Sequence, residues 1–267
     1  MSSLTYAVAD SATMLRRTLR HVLRYPAMLA ASLGVPVILL LLFVGILGRT
    51  LGAGLNDGHA AGATHTGGYI DYVAPGIILM AVSSGCMATS VAVCVDLTEG
   101  IINRFRTMAI SRAALLTGHV LASVIQTSVA TALVIGVAVA MGWRPTGGPL
   151  AWLAAIGLLE LLSFALTWLA VAIGLVSKTP ESSSNTPMLI QFLPFLGSAF
   201  VPAASMPAGV RWFAEYQPFT PVNETLRGLL TGTAIGDNAW IALAWCLGIL
   251  ALGYWWARTV FRRGRLR

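Results

Sequence analysis

Residues 150–176 read LAWLAAIGLLELLSFALTWLAVAIGLV, an apolar run interrupted by one acid, Glu160. A helix covers a hydrocarbon core of about 30 Å with about 20 residues, so this run is long enough to cross a bilayer. The whole chain agrees with that reading. Its 267 residues are 57% hydrophobic and 10% charged, with a mean hydropathy of +0.78. A soluble domain of this length has no core large enough to bury so much apolar side chain, so a membrane protein is the class that fits.

Five further runs flank it. The first covers about 28–48 (MLAASLGVPVILLLLFVGILG), the second 73–95 and the third 120–142, while the sixth fills 239–257. The fifth starts near Pro187, but Pro194, Pro202 and Pro207 divide it, which predicts a bent span followed by a partly re-entrant segment. The expected fold is an all-α polytopic membrane protein with six transmembrane helices. Residues 28–257 form its membrane domain, with an external or re-entrant segment over 206–237.

Charge sets the expected orientation. An even number of spans puts both termini on one side, and that side collects Arg16, Arg17, Arg20, Arg24, Arg104, Arg106, Arg112, Lys178, Arg258, Arg262, Arg263, Arg265 and Arg267. Arg49, Arg144, Arg211 and Arg227 fall on the other. The excess places the termini in the cytoplasm. The net charge of +7 and pI near 9.9 then follow from topology, and no nucleic-acid partner is needed to explain them. Abundant Ala, Gly and Arg beside a single lysine suggest a GC-rich bacterial genome. Cys86, Cys94 and Cys246 all lie within predicted spans and read as small buried hydrophobes. No cleavable signal is expected, because the first span is longer than a signal h-region.

Two cytoplasmic stretches carry helical patterning. In residues 1–27, Leu15, Leu19, Val22 and Leu23 share a face beside Arg16, Arg20 and Arg24, and Pro26 closes the segment. An amphipathic helix along the lipid headgroups is expected there, as an anchor or as a contact for a partner. Residues 96–112, DLTEGIINRFRTMAISR, put Ile101, Ile102, Phe105, Met108 and Ala109 on one face. An acidic start and a basic end favour a folded helix, and a loop over 96–118 is longer than closure requires. A docking surface for another subunit fits this stretch. Residues 258–267 form a basic cytoplasmic tail.

These residues carry a resemblance. The stretches YIDYVAPGI, DLTEGIINRFRTMAISRAALLTG and QPFTPVNETLRGLLTG occur in that order, and together they resemble the permease subunits of ABC-2 type transporters, particularly the daunorubicin-resistance permease branch. Tyr72, Pro75 and Gly76 match the family's aromatic-x-x-Pro-Gly motif at the second span. Asp96, Gly100, Arg104 and Arg106 match the frame of the loop that follows. Pro218, Thr220, Pro221, Arg227, Gly228, Leu229 and Leu230 match the C-terminal motif. Asn103 and Ala109 depart from the pattern, where relatives often carry an acid and a proline. The resemblance implies an ABC-2 type transmembrane domain in a bacterial plasma membrane, paired with a second permease copy or a homologous permease. It also implies two ATPase subunits, which would bind ATP and magnesium and dock on the 96–112 helix. Asp96, Glu99, Gly100, Arg104, Phe105 and Arg106 are the expected coupling residues.

The residues themselves argue against catalysis in this chain. A P-loop needs G-x-x-x-x-G-K-[ST], because only glycine lets the backbone approach phosphates closely. The sole lysine, Lys178, has Ala172 and Ser177 at the glycine positions, so no nucleotide cofactor is expected in this chain. His59 and His65 share a loop with Asp57 and Asp71, but the Gly, Ala and Thr around them read as a flexible connection, and no metal is expected. The Asn223-Glu-Thr sequon reads as coincidence in a bacterial chain.

Within the spans, Ser83, Ser84, Gly85, Thr89 and Ser90 form a small-residue seam suited to helix packing or to a wet path. Glu160 is the one acid in the apolar runs, with Ser163 and Thr167 at i+3 and i+7 on its face. A mid-bilayer carboxylate is costly, so it is expected to face protein or a water-filled cavity, in a neutral structural role or in translocation. Three readings stay open: a permease exporting drugs, lipids or other amphipathic solutes, an ion-coupled secondary transporter or channel using Glu160, and a structural membrane subunit without transport. The scarcity of buried ionisable groups and the lack of repeats between the halves weigh against the second.

Overall fold

The computed structural model describes residues 34–46, 48, 68–98 and 112–262. Among them every regular element is helical. In chain order these are α1 (Gly34–Ile46, whose last turns from Leu41 widen into a π-helix), α2 (Tyr69–Thr98), α3 (Arg112–Ala140) and α4 (Pro149–Val176). After α5 (Pro180–Phe192) come two short 3-10 turns at Leu193–Leu196 and Ala203–Ser205. Then follow α6 (Ala208–Tyr216), α7 (Phe219–Thr231) and α8 (Asn238–Arg262).

Four of these helices, α2, α3, α4 and α8, are long and apolar enough to cross a membrane. The six expected spans are thus not all present as single helices among the described residues. Of the first run, residues 34–46 form α1, and residues 28–33 lie outside the described residues. The fifth is divided: α5 stops at Phe192, and Pro194 lies in the 3-10 turn that follows.

The structure also moves the start of α5. Proline 187 was expected to open that span, yet it lies inside the helix, which begins at Pro180. The reason is local. Thr179 caps the helix, its side chain accepting from the Ser182 N–H while the Ser182 hydroxyl accepts from the Thr179 N–H. Proline suits the first turn, where no N–H donor is needed, and Glu181 favours the positive end of the helix. Its own backbone N–H and the Thr179 hydroxyl hold the Glu181 carboxyl below the usual carboxylate range.

Helices α2 and α4 form the centre. Their contact is close because Gly174 faces the backbone of Ser90 and the side chain of Val93, where a Cβ would overlap the Ser90 carbonyl. Small residues at a crossing bring backbones together, which is how helices associate where lipid removes the hydrophobic drive. Helix α8 packs on the other flank of α4 through Gly253 and an edge-to-face pair of Trp168 and Tyr254, 5.0 Å apart. Its remaining faces carry Trp240, Trp245, Leu247, Leu252 and Trp255 outward, as expected of a lipid-facing helix. Cys86, Cys94 and Cys246 are free and buried.

Candidate functional site

The irregular segment 193–202 runs through the protein interior, with Pro194, Ser198, Ala199 and Phe200 buried. Backbone without helix or sheet partners survives at such a place only if side chains satisfy it. Helices α2 and α7 and the turn between α6 and α7 supply them. Gln217, the residue at the end of α6, donates to Leu193 O at 3.1 Å, and Tyr69 donates its hydroxyl to Phe200 O at 3.1 Å. Ser198 O receives three donors: Tyr72 Oη at 3.0 Å, Asn223 Nδ2 at 3.1 Å and Arg227 Nη2 at 2.8 Å.

Arg227 is the hub of this arrangement. Its side chain is 5% exposed and pairs with Glu224 one turn earlier, Nη1 to Oε1, at 2.7 Å. Its guanidinium carbon lies 3.8 Å from the centroid of the Tyr72 ring, and Nη2 also donates to Tyr72 O at 3.2 Å. Pro75 lies inside the same stretch of α2, one residue before Gly76. Gly76 then leaves room for Ala199, since a Cβ there would press on the Ala199 backbone. Pro218 is the N-cap of α7 and Pro221 stands in its first turn, where neither disturbs a hydrogen bond. Tyr72, Gly76 and Arg227, drawn from two distant sequence motifs, thus meet at residues 198–200 in one clamp with Tyr69 and Asn223, while Pro75, Pro218 and Pro221 lie in the helices that carry them. Sequence reasoning counted Arg227 as an external charge and missed its burial.

A second polar site lies at the middle of α3 and α4. Ser128 Oγ is 2.6 Å from Glu160 Oε1 and 2.8 Å from Val124 O, so its single proton serves two acceptors. Both side chains line a cleft of about 380 Å³, together with Thr127, Thr131, Ser163, Trp152 and an apolar wall. Thr131 Oγ1 and Ser163 Oγ are buried without a hydrogen-bond partner. Of the three residues grouped on the Glu160 face, Ser163 enters the cleft. Thr167 does not, and bonds Ser163 O at 2.7 Å instead. Ser128 was not singled out in sequence. The signal that could have found it is the hydroxyl series Ser123, Thr127, Ser128 and Thr131, which recurs at helical spacing along α3.

The small-residue seam of α2 lies against α3 and α5. Ser83, Ser84 and Thr89 each donate back to a carbonyl of their own helix, and a Cβ at Gly85 would overlap Thr127 of α3. Ser90 alone among these hydroxyls crosses between helices, to Ser183 of α5. Of the expected coupling residues, Asp96 lies in the last turn of α2. Glu99, Gly100, Arg104, Phe105 and Arg106 lie outside the described residues, as do the N-terminal helix and the loop with His59 and His65. Among the described residues no group of three or more His, Cys, Asp or Glu is placed to hold a metal ion.

The chain is 28% identical over 247 residues to a daunorubicin resistance ABC transporter permease protein of Streptomyces coeruleorubidus, covering 92% of this chain and 83% of the relative. It is 25% identical over 230 residues to a probable doxorubicin resistance ABC transporter permease protein of Mycobacterium tuberculosis, covering 84% and 81%. Residues 11–231 match the ABC-2 type transporter family, a stretch that contains both halves of the Tyr72–Arg227 clamp and the Glu160 cleft. With four helices fit to span a bilayer, the chain is a multi-pass membrane protein and belongs to the ABC-2 type transporter family.

Proposed function

We propose that the chain is the membrane-spanning permease of an ATP-driven exporter that works with a separate ATPase and moves amphipathic or hydrophobic solutes. The family match across most of the chain carries this reading. The geometry at Lys178 supports the division of labour. Residues 172–176 complete α4, with the Ser177 N–H bonded to Ile173 O, so helix stands where a phosphate-cradling loop would be needed. ATP and magnesium then belong to the partner. In this reading the termini and residues 96–118 face the cytoplasm, the 96–112 helix docks on the ATPase, and two permeases assemble with two ATPase copies. The arginine distribution supports that orientation.

The test is co-expression with an ABC-type ATPase subunit, followed by assay in inverted membrane vesicles. Joint purification and ATP-dependent solute uptake are expected, with no ATP hydrolysis by the isolated permease. Hydrolysis that survives removal of every co-purified ATPase would overturn the reading. The cleft at Glu160 favours one competing function, ion-coupled transport, which requires solute movement driven by an ion gradient without any ATPase.

A further inference from the structure

We propose that α3 and α4 are a two-register pair, in which α3 slides about 4.5 Å along α4 and exchanges the Ser128–Glu160 hydrogen bond for one between Thr131 and Glu160. The registers belong to the helix pair itself. That the 96–112 stretch, which runs into α3 at Arg112, drives the slide rests on the proposed function.

Two unpaired hydroxyls point to the second register. Thr131 Oγ1 and Ser163 Oγ are buried without a hydrogen-bond partner, a costly state that native proteins seldom keep. Each stands three residues beyond a member of the existing bond, Thr131 after Ser128 on α3 and Ser163 after Glu160 on α4. The helices are antiparallel, joined by residues 141–148. One displacement therefore serves both hydroxyls. Moving α3 toward its own N-terminus by three residues, about 4.5 Å with a rotation of about 60°, puts Thr131 where Ser128 now stands and brings Ser128 level with Ser163. Ser128 keeps Val124 O of its own helix as an acceptor throughout. Discrete bonds at two positions make such a pair step between wells, as a ratchet does.

Space and slack allow the move. The cleft of about 380 Å³ lies along this seam, with Thr127, Thr131, Glu160 and Ser163 on its walls. On the α2 side Thr127 sits against Gly85, where a Cβ would overlap its hydroxyl, and the slide carries Thr127 to Ala88 while Ala130 arrives opposite Gly85. Small residues face each other in both registers. The outer face of α3, with Leu121, Ile125, Val129 and Leu133, is exposed and sets no register of its own. At the far end Trp143 is fully buried and the Gly147 N–H bonds Leu230 O, so the slack must come from between α3 and Trp143. Unwinding the last three residues of the helix raises each from about 1.5 to about 3.3 Å and supplies about 5 Å. Gly142, with a φ of +104° and open space around it, is the joint.

The experiment measures the position of α3 with paired spin labels on the full chain in nanodiscs. Leu121→Cys near the start of α3 and Ile241→Cys near the start of α8 are exposed positions at opposite ends of the bundle, because Val120 packs with Ala257 near the end of α8. The slide lengthens that distance by about 4 Å. The three native cysteines are buried, and the chain without engineered cysteines is the labelling blank. Pulsed electron paramagnetic resonance should find the longer-distance population raised about fivefold by Ser128→Ala and lowered about fivefold by Thr131→Val, the scale of one buried hydrogen bond. Ser128→Thr, which keeps the donor, should restore the parental distribution. A reference pair on α4 and α8, Leu150→Cys with Leu252→Cys, should not move. One distance that neither substitution shifts, shifts in the same direction for both, or a reference pair that moves with α3 would overturn the two registers. With an ABC-type ATPase subunit and ATP, redistribution between the same two distances is expected. Registers that ATP leaves unchanged overturn only the link to the 96–112 stretch, whereas ATP-driven export with a single α3 position overturns the register pair and leaves the exporter reading standing.

Discussion

Ser90 of α2 donates its hydroxyl to the carbonyl oxygen of Ser183 in α5 at 3.0 Å, and that carbonyl stands four residues before Pro187. Proline has no N–H, so it cannot give Ser183 O the bond an α-helix would supply. The neighbouring helix provides the donor instead. Ser183 is fully buried, which makes an unpaired carbonyl there costly.

Ser90→Ala should therefore destabilise the protein by about 1–3 kcal/mol, the cost of a buried acceptor left unpaired. Pro187→Ala restores an N–H to α5 and should reduce that loss when the two changes are combined. The measurement is a double-mutant cycle on detergent-solubilised protein followed by thermal unfolding. Strict additivity would show that Pro187 and Ser90 do not share the Ser183 carbonyl.

The Arg227 clamp gives a graded prediction. Lysine keeps the charge but not the planar fork that meets Glu224, Tyr72 O and Ser198 O while stacking on the Tyr72 ring. Arg227→Lys should lower stability by about 1–3 kcal/mol and Arg227→Ala by more, since buried acceptors then lose their donor. Glu224→Gln should cost less than either, because the Glu224 side chain is 32% exposed and water replaces part of the pair. Thermal midpoints in that order are expected; a Glu224 change as damaging as the Arg227 ones would show that the ion pair, not the carbonyl bonds, matters most.

How far the sequence carried the fold depends on the range of the interaction. Helices α2, α3, α4 and α8 were legible because long apolar runs have no other stable arrangement in lipid. Their ends were not: α2 starts at Tyr69 and α3 at Arg112, beyond the apolar windows. Helical hydrogen bonding continues where the hydrocarbon stops. The prolines after Pro187 announced a break in the fifth run, but not which side chains would hold the broken backbone. Tyr72 and Arg227 are 155 residues apart, and no local pattern encodes that contact. For the same reason Glu160 was visible as an anomaly while its partner on α3, Ser128, was not.

Gly76 tests whether the clamp depends on close approach. A methyl group there would press on the Ala199 backbone and push residues 198–200 away from Tyr72 and Arg227, whereas Gly136 of α3 has open space around it. Gly76→Ala should lower the thermal midpoint and accelerate proteolysis between Gly197 and Met206, while Gly136→Ala leaves both unchanged. Equal tolerance at the two positions would mean that the 198–200 segment shifts freely and the motif glycine is not set by packing.

Coupling to an ATPase is tested at Phe105. The spacing of Ile101, Ile102, Phe105, Met108 and Ala109 makes an apolar face, and an aromatic residue at its centre is the kind of anchor that dominates interface energetics. Truncating such an anchor typically costs about 2 kcal/mol or more, whereas removing a rim charge costs less and depends on salt. Phe105→Ala should reduce co-purification of the ATPase by about tenfold or more, or uncouple its hydrolysis from export, without affecting membrane insertion. Arg104→Ala should give a milder defect that grows weaker as ionic strength rises, because screening already suppresses the contact in the parent protein. If both variants retain full complex formation and coupled export, the face rests on lipid headgroups instead, and another cytoplasmic segment, the arginine-rich stretch over 16–24 first among them, must make the contact.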